Sequence, residues 1–185
     1  MNGSDPADTA REALTRLVVD VPGFPEPGIV FKDISPLLAD HEGFTAVVEA
    51  LASHGRDATG APAVDKVVGM EARGFILAAP VALALGCGFV PVRKAGKLPR
   101  ATHSVSYDLE YGAATLELHR DAVAPGERVL LVDDVLATGG TVRATAELVE
   151  RCGGVAVGVA VLMELGFLDG RARLGDLPVH TLVTV

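Results

Sequence analysis

An α/β fold with a mainly parallel central sheet flanked by helices is what this sequence predicts, on three observations. Short apolar runs of strand length alternate with segments of helical period through most of the chain. Such alternation sets successive strands parallel and lays the helices over both faces of the sheet. The 185 residues are 49% apolar, enough for one sizeable core and short for two. Glycine and alanine are abundant, aromatics are few and tryptophan is absent, a composition suited to helices lying close against a sheet.

The elements follow in order. Residues 1–5 read as a loose tail. Residues 7–17 follow a Ser/Asp/Pro start signal and should be helical. Residues 24–31, FPEPGIVF, read as a Pro/Gly-rich loop carrying large apolar residues. The spacing of Phe44, Val47, Val48 and Leu51 predicts an amphipathic helix over about 40–54. KVVGM (66–70) is a short buried strand, 74–85 a buried helix, and GFVPVR (88–93) the next strand. Residues 94–107 lack periodicity and read as a long loop, which inside a compact domain is usually functional. ATLELH (114–119) alternates as a half-exposed strand does. Strands are expected at 128–132, 155–163 and 179–185, with a helix over 141–152 closed by Gly153 and Gly154.

Charge and composition exclude several classes. With 16 basic and 24 acidic residues the net charge is −8, which argues against binding nucleic acid or a membrane surface through bulk positive charge. The longest apolar run, FILAAPVALAL (75–85), is about half of the ~20 residues that cross a bilayer. The polar, acidic start MNGSDPADTA is unlike an export signal, so a cytoplasmic protein is expected. Cys87 and Cys152 lie far apart without a CxxC partner, and the five histidines show no metal spacing.

The chemistry concentrates in VLLVDDVLATGGT (129–141). An apolar strand runs into two adjacent carboxylates, then into a loop of small residues that opens a helix. In parallel sheets ligands sit beyond the carboxyl ends of the strands. Ala137, Thr138, Gly139, Gly140 and Thr141 would there present backbone N–H groups, two hydroxyls and a helix N-terminus to one point, which suits a phosphate. Asp133 and Asp134 are placed to hold the hydroxyls of an attached ribose, or its metal ion. GMEARG (69–74) has the two-glycine spacing of a nucleotide-binding P-loop, but Phe75 and Ile76 stand where Lys and Ser/Thr are required.

VLLVDDVLATGGT resembles the 5-phosphoribosyl-1-pyrophosphate (PRPP) motif of the type I phosphoribosyltransferases. FPEPGIVFKDISPLL (24–38), GMEARGFILAAPVA (69–82), GFVPVRKAGKLP (88–99) and YDLEYGAATLELH (107–119) are similar, in the same order, to the members that act on adenine. The resemblance covers roughly residues 17–165. It implies transfer of a phosphoribosyl group from PRPP to adenine with magnesium (Mg2+), giving AMP and pyrophosphate. It also implies one type I domain with a small hood (about 20–38), a flexible catalytic loop (about 94–112) and, usually, a homodimer.

The resemblance assigns roles by position. Residues 137–141 take the 5′-phosphate, while Asp133 and Asp134 take the ribose hydroxyls and help place the Mg2+ that PRPP carries. Glu71, Ala72 and Arg73 face the pyrophosphate, with a cis peptide expected at Glu71–Ala72. Arg93, Lys94 and Lys97, in a run that ends at Arg100, form a positive funnel for the same group, some of them acting across a dimer interface. Glu110 is the acid/base residue for the purine and Arg73 the second catalytic group. Val30, Phe31, Lys32 and Val135 contact adenine, Phe31 by stacking, and the backbone at Val30 and Lys32 reads the base edge. Three rivals remain: the same fold acting on another base, a PRPP-sensing regulator of transcription, and a non-catalytic nucleotide-binding subunit, against which the presence of Glu110 argues. The stretches at 24–38 and 107–119 argue against the first and the acidic charge against the second.

Overall fold

The computed structural model describes residues 6–108 and 113–185. The chain divides into two compact units, one ending at Ala50 and one beginning at Leu51.

The first unit comprises α1 (Pro6–Leu17), β1 (Val19–Pro22), β2 (Val30–Asp33), α2 (Ser35–Ala39) and most of α3 (His41–Ser53). Helix α1 buries Ala10, Ala13 and Leu14, the three-to-four spacing of one helical face. Strands β1 and β2 pair antiparallel, with Val21 opposite Phe31 and Pro22 opposite Val30. The loop read over 24–31 therefore ends two residues early, since past Pro25 and Pro27 the chain is free to pair again. Helix α2 was not foreseen. Its start is set by Asp33, whose carboxylate accepts the Ser35 N–H at 2.8 Å and the Ser35 hydroxyl at 2.6 Å. Asp40 does the same for α3 by accepting the Gly43 N–H at 2.7 Å.

The second unit carries β3 (Lys66–Met70), α4 (Arg73–Leu85), β4 (Gly88–Lys94), β5 (Thr102–Asp108), β6 (Ala113–His119), β7 (Arg128–Leu136), α5 (Gly140–Arg151), β8 (Val155–Glu164) and β9 (Val179–Thr184). They form a seven-stranded sheet in the order β5-β6-β4-β3-β7-β8-β9. Strands β4, β3, β7, β8 and β9 run parallel, and β5 and β6 join antiparallel at one edge. Val68, Met70, Val129 and Leu131 share a core with Val142, Leu148 and Val149 of α5. On the other face, a Cβ on Gly69 would stand 2.7 Å from the Cβ of Ala78 in α4, so only glycine lets that helix come so close.

Three expectations need correction. Residues 102–108 are strand rather than loop: Val105 is buried and pairs with Leu116, while the polar neighbours Ser104 and Ser106 masked the alternation. Strand β7 continues past Val132 to Leu136, because β8 pairs with it as far as Glu164. Helix α4 is not wholly buried, for Leu83 is 81% and Ile76 45% exposed.

Beyond α3, the ring of His54 stacks on His180 of β9, centroids 4.1 Å apart. Burial first, and the neighbouring His180 second, lower the His54 pKa from 6.5 to about 4. His180 is lowered too, by burial and then by Arg171. Folded His54 thus stays neutral where the unfolded chain takes up a proton. The stability it supports is complete above pH 6.5 and is lost as pH falls toward 4. Melting temperature followed over that range should fall more steeply for the unaltered chain than for His54→Gln, which has no proton to gain.

Candidate active site

Strand β7 delivers the two carboxylates, and their surroundings differ. Asp134 is 5% exposed. Its Oδ2 meets the Arg73 guanidinium at 2.8 Å, a contact made by the first residue of α4. That oxygen accepts no hydrogen bond among the described residues, so the positive charge of Arg73 is what compensates its burial. Asp133 accepts the backbone N–H of Asp134 at 2.9 Å. Desolvation, and then the charge of Asp134, raise its pKa well above the usual carboxylate range.

Gly74 explains how the helix reaches this strand. A Cβ there would stand 2.9 Å from Asp133 Oδ1 and 3.0 Å from the Val132 carbonyl oxygen. The glycine spacing of 69–74 thus serves close packing of α4 on β3 and β7. The Glu71–Ala72 peptide bond is cis, as the resemblance implies.

After Leu136 the chain turns through Ala137, Thr138 and Gly139 into α5. Gly139 caps the helix at φ 81°, a left-handed conformation that favours glycine. The loop is braced by a residue that the sequence did not single out. Tyr107 of β5 places its hydroxyl 3.0 Å from that of Thr141. A Cβ on Gly140 would stand 2.8 Å from its ring. Only the pairing of β5 with β6 brings Tyr107 here, and no local signal carries that information.

Of the expected pyrophosphate residues, Glu71 and Ala72 form the turn after β3, Arg73 opens α4, Arg93 and Lys94 end β4, and Lys97 follows that strand. The Glu71 carboxylate faces inward to its neighbours: it accepts Arg93 Nε at 3.1 Å and the Lys94 backbone N–H at 2.9 Å. The hydrogen bond from Arg93, followed by that from Lys94, lowers the Glu71 pKa. Glu71 is thus a holder of Arg93, whose guanidinium also lies 5.8 Å from the centre of the Phe75 ring. Lys94 and Lys97 are exposed, and Arg100 pairs with Asp121. In the first unit, Val30, Phe31 and Lys32 are consecutive on β2. The Phe24 ring sits edge-on to Phe31, centroids 5.2 Å apart, and Lys32 pairs with Asp20 at 2.7 Å. Val135 lies on β7, one residue past the aspartates. Glu110 lies outside the described residues.

Comparison with known proteins decides what this constellation belongs to. Residues 37–176 match the phosphoribosyl transferase domain. The adenine phosphoribosyltransferase of a Nocardioides species is 72% identical over 174 residues, 94% of each chain. This chain belongs to the adenine phosphoribosyltransferase family. Two solved structures of that family illustrate its spread. The Rhodothermus marinus enzyme is 52% identical, with a TM-score of 0.88 over 96% of this chain and 99% of its own. That of Saccharomyces cerevisiae is 39% identical, with a TM-score of 0.89 over 95% and 99%, and was solved with adenine and an imino-altritol bisphosphate. As in a phosphoribosyltransferase of type I, the mainly parallel sheet carries the acidic pair and the small-residue loop at the carboxyl end of one strand. Among the described residues no helix is long and apolar enough to cross a membrane.

Proposed function

We propose that the chain transfers the 5-phosphoribosyl group of PRPP to adenine, forming AMP and pyrophosphate in purine salvage. The observation that carries this reading is the run of β7 through Asp133 and Asp134 into a helix-opening loop, with Arg73 set against Asp134. The amides of 137–141 and the Thr138 and Thr141 hydroxyls hold the 5′-phosphate. Asp133 and Asp134 accept hydrogen bonds from the ribose hydroxyls and so fix the face that C1′ presents. Arg73, Arg93, Lys94 and Lys97 stabilise the charge that develops as the C1′–O bond to pyrophosphate breaks. Val30, Phe31, Lys32 and Val135 contact adenine, whose N9 bonds to C1′ while Glu110 manages the purine proton.

Magnesium fits this site as a guest of the substrate. Among the described residues no three His, Cys, Asp or Glu side chains converge as a metal cage. Mg2+ commonly keeps phosphate and water ligands beside one or two carboxylates, which Asp133 and Asp134 can supply. When bound, it neutralises pyrophosphate charge.

The working form we propose is a cytoplasmic homodimer. The outward face of α4 supports it, because apolar Ile76 and Leu83 there are exposed. Leu83→Glu should shift sedimentation equilibrium toward the monomer, and an unchanged mass would count against this face.

The reaction is tested by mixing the protein with magnesium, PRPP and each of adenine, hypoxanthine, guanine, xanthine and orotate. AMP formed from adenine alone is the expected product. A nucleotide from a different base would overturn the adenine assignment, and no product from any base would overturn transferase activity.

A further inference from the structure

The chain after β8 takes no part in the chemistry above, yet it touches the phosphate loop directly. Two short 3-10 turns, Gly166–Leu168 and Gly170–Leu174, meet at Asp169, which holds a left-handed φ of 48°. A Cβ added to Gly139 would collide with the Gly170 carbonyl oxygen. One added to Gly170 would collide with the Ala137 carbonyl oxygen and stand 3.0 Å from the Gly139 nitrogen. Loop and turn therefore lie backbone against backbone, with no side chain between them.

The turn is itself anchored. Glu164, the last residue of β8, is 8% exposed and accepts two hydrogen bonds from Arg171, at 2.6 Å from Nη2 and 3.1 Å from Nε. The remaining arm of that guanidinium, Nη1, donates to the Val179 carbonyl at 2.9 Å. The Leu165 N–H donates to the Leu136 carbonyl at 2.9 Å, tying the turn to the residue just before the loop.

We propose that Gly170, clamped by the Arg171–Glu164 pair, is the wall that holds Ala137–Gly139 in their phosphate-binding conformation, making Gly170 and Arg171 positioning residues for PRPP. This rests on the reading of 137–141 as the 5′-phosphate loop. The physical need is specific. Donors gain their effect by being aimed before the ligand arrives. The glycine at 139, which takes up left-handed backbone without the cost a Cβ imposes, would otherwise be free to swing. A methyl group at 170 pushes the loop away. Loss of the Arg171 fork leaves a nearly buried carboxylate unpaired and releases the turn.

The test is steady-state kinetics with calorimetric PRPP binding on the full chain, for Gly170→Ala, Arg171→Gln and Arg171→Lys. Displacement of a positioned group by about 1 Å costs on the order of 100-fold. Gly170→Ala and Arg171→Gln should therefore raise the KM for PRPP roughly tenfold to a hundredfold, with the adenine KM unchanged. Arg171→Lys, which keeps the charge and loses the fork, should fall between them and the unaltered chain. An unchanged PRPP KM in both Gly170→Ala and Arg171→Gln overturns the proposal. So does an equal rise for both substrates, or failure of all three variants to fold, each of which marks a merely structural role. If the unaltered chain binds no PRPP, the reading of the loop falls first and the wall with it.

Discussion

Arg73→Ala should cost this protein stability and turnover together. The side chain lies 2.8 Å from a carboxylate that is 5% exposed and has no hydrogen bond to Oδ2 among the described residues. Removing one partner of a buried pair costs about 3–5 kcal/mol, because the other charge remains without compensation. Arg73 is itself partly exposed, so water can replace some of the lost interaction, and about 2–3 kcal/mol is the expectation. Urea denaturation reads this directly. The activity loss has a different origin: on the proposed reading Arg73 supplies charge where the leaving group develops it, and loss of one such group lowers kcat about 10²–10³-fold. The double variant Arg73→Ala, Asp134→Asn separates the two effects. Neutralising the stranded carboxylate should restore most of the stability and none of the turnover. If stability is not restored, the Arg73–Asp134 pair is not what the fold relies on here.

Glu110→Gln should lower kcat about 10²–10⁴-fold, the usual contribution of a positioned acid or base. PRPP affinity, measured by calorimetry, should stay as in the unaltered chain, since the residue is assigned to the purine. The amide keeps the size and polarity of the side chain and loses only its ability to exchange a proton. Parallel loss of PRPP binding would move Glu110 from proton transfer to substrate binding. An unchanged kcat would remove it from the mechanism.

What could be read from the sequence was whatever a short window contains. KVVGM, buried on both faces of the sheet, shows its strand in five letters, and β3 has those bounds. The acidic pair and the loop after it were legible for the same reason, being contiguous. The strand end was misjudged because two adjacent carboxylates look like a surface. Arg73, 61 residues before Asp134, compensates one of them, and β8 supplies the hydrogen bonds that carry β7 on to Leu136. Tyr107 and Gly170 were invisible on similar grounds. Each matters through a partner that only the fold brings near, Thr141 for the first and Ala137 for the second. The contacts of the Glu71 carboxylate with Arg93 and the Lys94 amide were likewise out of reach of a short window, since those partners lie more than twenty residues on. Leu83 was misplaced by composition alone, since a helix apolar on all sides reads as buried wherever it lies.

The unequal lengths of two neighbouring strands set a dimension. Pairing between β3 and β7 ends at Val132, and β7 runs on to Leu136. Four residues at ~3.3 Å each make a step of about 13 Å along the strand direction. The Glu71–Gly74 turn opens at the foot of that step and the 137–141 loop at its top. On the proposed reading, PRPP is gauged by its length, its pyrophosphate at the lower level and its 5′-phosphate at the upper. A sugar phosphate with a group at one end alone engages one level and leaves the other wet. On that reading the sheet is a ruler as well as a floor.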